Sequence, residues 1–74
     1  MSKVEPTDKA AECLHALERI SDPHQRALLT SLRDVWIELA RSRYLFSSEA
    51  DFAELAEAIA KYHSALLGRI PNVH

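Results

Sequence analysis

Glycine occurs once in this 74-residue chain, at Gly68, so there is no glycine-rich loop to cradle a phosphate. Cysteine also occurs once, at Cys13, which rules out an intramolecular disulfide and leaves a small hydrophobic core without covalent support. Uninterrupted apolar runs are short, Tyr44-Leu45-Phe46 being typical, against the roughly 20 residues that cross a bilayer. No excess of basic charge exists either. The formal net charge is -2 and the pI about 6.0, which gives no general attraction for nucleic-acid backbones or anionic membranes. The opening Met1-Ser2-Lys3-Val4-Glu5-Pro6 carries an acid and a proline where a secretory signal places an apolar stretch, so the expected location is the cytoplasm.

What is present is helical periodicity. With 47% hydrophobic and 27% charged residues the chain has the composition of one folded domain, and its prolines, Pro6, Pro23 and Pro71, all lie outside the periodic segments. The first helix is expected over about residues 8–20, with Thr7 as N-cap and Ala10, Cys13, Leu14, Leu17 and Ile20 on one stripe, leaving Glu12, His15 and Arg19 facing away. The second is expected over about 23–43: Asp22 caps, Pro23 fits the first helical position, and Gln25 completes a capping-box pattern. Its stripe is Leu28, Leu29, Leu32, Val35, Trp36, Leu39 and Ala40. The third, about 49–67, follows Ser48 and Asp51 as a second capping box and should stop at a left-handed Gly68, with Pro71 beyond it. Phe52, Leu55, Ala56, Ile59, Ala60, Tyr62, His63, Leu66 and Leu67 form its stripe, and Ala53, Ala56 and Ala60 would admit a close neighbour. Short connections make the helices antiparallel neighbours. The expected fold is all-α: a small three-helix bundle, or a long helical hairpin with the shorter N-terminal helix packed across it, with the first five residues and Asn72 to His74 frayed.

Chemistry-bearing patterns are sparse. Glu12-x-x-His15 has the i,i+3 spacing of a carboxylate-bridged di-iron element, but a second element is missing and both residues project away from the core stripe, so no metal or other cofactor is expected. Cys13 sits on the buried stripe with no cationic sequence neighbour to activate it, and neither a nucleophile elbow nor a Ser/His/Asp arrangement exists, so no catalytic residue is assigned. His63 interrupts an apolar stripe, where a buried imidazole requires a hydrogen-bond partner. The arginines Arg26, Arg33, Arg41 and Arg43 cluster on the second helix, but the third helix opens with Glu49, Asp51, Glu54 and Glu57, which repel phosphates and spoil a helix-turn-helix reading.

One pattern survives. Arg26, Thr30, Arg33, Ile37, Arg41 and Tyr44 recur at three- and four-residue spacing on a second face of the second helix, and Arg26, Arg33, Ile37, Arg41 and Tyr44 are the candidate interface residues because arginine and tyrosine are enriched where proteins meet. The run Asp22-Pro23-x-x-Arg26-x-x-Leu29-x-x-Leu32-x-x-x-Trp36-x-x-Leu39-Ala40 resembles a pattern in short, uncharacterised bacterial helical proteins. That resemblance implies a small helical bacterial protein and brings no activity with it. The sequence therefore points to a non-enzymatic association or structural module, a homodimer or the partner of another protein. A small regulator touching nucleic acid through the second helix is the alternative, and a metal or small-molecule enzyme comes third.

Overall fold

The computed structural model describes residues 4–69. Among them the chain forms α1 (Pro6–Leu17), α2 (Pro23–Arg41), a single 3-10 turn (Arg43–Leu45) and α3 (Glu49–Gly68), with no strand. The fold is the expected all-helical one, a small bundle of three helices. Two starts follow their sequence signals. The Asp22 carboxylate accepts from the Gln25 backbone N–H at 2.8 Å, and the Ser48 hydroxyl accepts from that of Asp51 at 3.1 Å.

Several boundaries differ. Thr7 is not the N-cap of α1: the helix begins at Pro6, whose missing N–H costs nothing at the first position, and the extended residue before it is Glu5, which makes no side-chain cap. At the other end α1 stops at Leu17 rather than Ile20. Arg26 explains how that end is closed, since its guanidinium donates to the carbonyls of Leu17 at 2.6 Å and Ile20 at 2.8 Å, acceptors that no further turn of helix satisfies. Ile20 still enters the core from beyond the helix. Helix α2 ends at Arg41, and the tighter turn after it brings Phe46 edge-on to Phe52, with ring centroids 5.4 Å apart. Gly68 is the last residue of α3 and has no left-handed conformation, so it does not terminate the helix as a C′ glycine. Val4 packs against the core and Glu5 pairs with Arg43 at 3.7 Å, so this part of the N-terminal segment is tied down rather than frayed. The expectations for Pro71 and for Asn72 to His74 lie outside the described residues.

The core is built from Ala10, Cys13, Ala16, Leu17 and Ile20, from Leu29, Leu32, Trp36 and Leu39, and from Phe52, Ala56 and Leu66. Backbones approach most closely between α1 and α2, where α1 offers the small side chains Ala10, Cys13 and Ala16. Helix α3, expected to be the close neighbour through Ala53, Ala56 and Ala60, stands further off, because Trp36, Leu29, Phe52 and His63 fill the seam, and Ala53 is exposed. Leu14, Val35, Leu55 and Tyr62, all assigned to buried stripes, are exposed instead. Arg43 closes the α2–α3 corner, donating to Glu49 at 2.8 Å and lying 4.3 Å above the Phe52 ring.

Gly68→Ala should stabilise the protein by about 0.5 to 1 kcal/mol, since alanine loses less backbone entropy in a helix. A Cβ there meets nothing within 4 Å. Urea titration measures the effect; destabilisation would mean that Gly68 needs the left-handed conformation after all.

Candidate functional site

Three helices meet at one imidazole. His63, on α3, is 1% exposed, and the indole Nε1–H of Trp36 on α2 donates to its Nδ1 at 3.0 Å. Since Nδ1 accepts, the proton of the neutral ring sits on Nε2, which donates to the Glu12 carboxylate of α1 at 3.0 Å. Lys9, one turn earlier on α1, lies 3.6 Å from the same carboxylate oxygen. The indole and imidazole rings stand nearly perpendicular at 5.8 Å between centroids. A continuous chain Trp36, His63, Glu12, Lys9 thus runs from the core to the surface, and no buried side-chain nitrogen or oxygen among the described residues lacks a partner.

Glu12 was expected to face away and does not. Its error traces to Ala16, which is buried while Leu14 is exposed. The stripe of α1 is centred on Cys13 rather than between Leu14 and Leu17, and that rotation brings Glu12 to the flank nearest α3. An alanine carries too weak a hydrophobic signal to reveal the rotation, so the partner of His63 was missed although the need for one was not.

Burial holds the His63 pKa below its ordinary value, and the Glu12 hydrogen bond opposes the shift without cancelling it. The Trp36 N–H adds a geometric reason: a protonated Nδ1 would place one donor against another. Both ring nitrogens are occupied, leaving no lone pair for a metal or a substrate. Cys13, whose sulfur is 3.9 Å from Nδ1, is pushed up to about 11 by desolvation, with the Glu12 charge contributing, so it stays a thiol and not a nucleophile. Glu12 and His15 do line a small recess of about 270 Å³ with Ala16, Arg19 and Leu67. No group of three or more His, Cys, Asp and Glu among the described residues is placed to hold a metal.

Of the five candidate interface residues, Arg26, Arg33, Ile37 and Arg41 lie along α2 and Tyr44 in the turn after it. Arg26 is used to close α1, and Arg33 is paired with its neighbour Asp34 at 2.8 Å. Ile37, Arg41 and Tyr44 remain exposed. On the opposite flank of α2 lies an apolar groove of about 430 Å³, lined by Leu28, Ser31, Leu32 and Val35 and by Ala58, Ile59 and Tyr62 of α3. Val35 is 45% and Tyr62 52% exposed, and Leu55, on the same flank of α3, 43%. No helix of the described residues is long and apolar enough to cross a membrane. Compared with known protein families, with curated proteins and with solved structures, the chain matches none of them.

Trp36→Phe keeps an aromatic ring and deletes the donor. It should cost about 1 to 3 kcal/mol by leaving Nδ1 unsatisfied. It should also raise the His63 pKa, because Nδ1 is then free to take a proton; NMR titration of the imidazole reads this directly, and an unmoved pKa would show that the indole does not set the protonation state. The same lowered pKa gives an acid limit to stability. The unfolded chain binds a proton at His63 near pH 6.5 while the native state resists, so unfolding free energy should be full above that pH and fall as pH drops below it. Urea titrations between about pH 5 and 7.5 check the sign; His63→Gln should flatten the dependence.

Proposed function

We propose that this chain is a non-enzymatic helical association module that acts as a homodimer, with the α2–α3 groove as its contact surface. The carrying observation is that groove, an apolar face left open between two helices whose own seam is already filled by Trp36 and His63. Exposed apolar surface that is contiguous, rather than scattered singly, is where proteins associate. Burial of Leu28, Val35, Leu55 and Tyr62 supplies the association energy, and a module of this size gains core by it. The described side chains favour association over catalysis, because the one buried histidine has both nitrogens engaged and the one thiol is held protonated.

The nucleic-acid alternative is weakened by the partners of the arginines. Arg26 serves the carbonyls of α1, Arg33 pairs with Asp34, and Arg43 with Glu49. Ile37, Arg41 and Tyr44 stay available on the far flank for a second contact. The location that goes with this reading is the cytoplasm, where a lone free cysteine such as Cys13 stays reduced.

Sedimentation equilibrium at micromolar concentration should return the mass of a dimer. Val35→Glu, which places a charge in the groove, should return that of a monomer, whereas Ile37→Glu should leave the dimer intact. A monomer mass for the parent protein overturns self-association; a dimer indifferent to Val35→Glu but broken by Ile37→Glu moves the interface to the other flank of α2.

A further inference from the structure

Beside the groove, each helix carries an exposed stripe at strictly alternating four- and three-residue spacing. On α2 it is His24, the half-buried Leu28, Ser31, Val35 and Glu38; on α3 it is Asp51, Leu55, Ala58, Tyr62 and Ala65, continued by Arg69 at the C-cap. A mean spacing of about 3.5 residues keeps a stripe facing a neighbouring helix along its whole length. Large and small residues alternate in both, Leu28, Ser31, Val35 on one and Leu55, Ala58, Tyr62 on the other, the pattern of knobs beside holes. The spacing and the alternation are those of helix-packing surfaces.

Their charges identify the occupant. Because α2 and α3 run antiparallel and line the groove with Leu28 to Val35 of one and Ala58 to Tyr62 of the other, Glu38 and Asp51 fall towards one end of the groove and His24 and Arg69 towards the other. Within the two stripes, both carboxylates stand at one end, and the Arg69 guanidinium and the His24 imidazole stand at the other. Asp51 and Arg69 each stand nine residues from position 60, and Glu38 and His24 each seven from Ser31, so both pairs are centred on the middle of the same groove. At 1.5 Å per residue the α3 pair spans about 27 Å and the α2 pair about 21 Å.

We infer that two copies join groove to groove about a two-fold axis through that centre, so that Asp51 of one copy meets Arg69 of the other and Glu38 meets His24, with α2 and α3 of both copies forming a four-helix core. The inference rests on the homodimer reading through this groove and adds the direction and the register. A two-fold rotation exchanges the ends of the groove, which turns an acid-to-base gradient within one chain into complementarity between two. Parallel stacking would set acid on acid. The apolar stripes meet in the middle, and the small residues Ser31 and Ala58 lie where the two surfaces approach most closely.

Charge reversal separates these possibilities. Asp51→Arg should weaken the dimer about tenfold, since two symmetry-related attractive pairs become repulsive, and Arg69→Asp should do the same. The double variant restores the pairs in swapped form and should recover the parent affinity. Mixing the two single variants should give a heterodimer of near-parent affinity. The differences should shrink at 0.5 M salt, as roughly a 4 Å screening length requires. Sedimentation with circular dichroism on each variant reads association and folding together. If the parent dimerises but the single variants dissociate no more readily, or the double variant fails to recover, the two-fold register is wrong while the homodimer stands. If the parent is monomeric, both fall.

Discussion

Everything in this bundle is arranged around a histidine that cannot change its hydrogen bonds without moving a helix. His63 takes its proton acceptor role from an indole on α2 and its donor role from a carboxylate on α1, so one ring fixes the relation of α3 to both other helices. Apolar packing is permissive about rotation and slide; a pair of 3.0 Å hydrogen bonds on a buried imidazole is not, because the alternative is an unsatisfied ring nitrogen. A domain this small, with its single cysteine free, gains from a directional contact that packing alone does not supply.

The same clasp shapes the exposed groove. Indole and imidazole fill the seam between α2 and α3, and their volume holds those helices further apart than the small residues of α1 hold α1 from α2. Val35 and Tyr62 are the sequence neighbours of Trp36 and His63, and one residue along a helix is a 100° step around it. Committing Trp36 and His63 to the seam therefore turns Val35 and Tyr62 out onto the flank. Helix α1 is only 12 residues long and lies on the other side, so it cannot cover them. An apolar surface arises here as the geometric consequence of a polar contact one step away.

Arg26 shows how much a residue type leaves open when its setting is unknown. Arginine on an exposed helical face suggests a partner, and its partner proves to be the end of α1 in the same chain. Arg33 and Arg43 are likewise paired within the molecule. The residues that define the groove are aliphatic, aromatic or small, and from periodicity alone they merge with the core stripe, since a broad stripe does not announce which of its edges stays wet.

Helix number, order and class, two of the three helix starts, and the singular position of His63 were legible in the residues, because capping and periodicity are local and depend on neighbours three or four places away. The identity of His63's partners, the close pairing of α1 with α2, and the flank left open were decided by tertiary structure. Each turns on a rotation of tens of degrees about a helix axis, and such a rotation is set by side-chain volumes on facing helices: Ala16 against Leu14 on α1, Trp36 against Val35 on α2. The chain encodes which residues prefer burial, but only packing three helices at once determines which of those preferences are met.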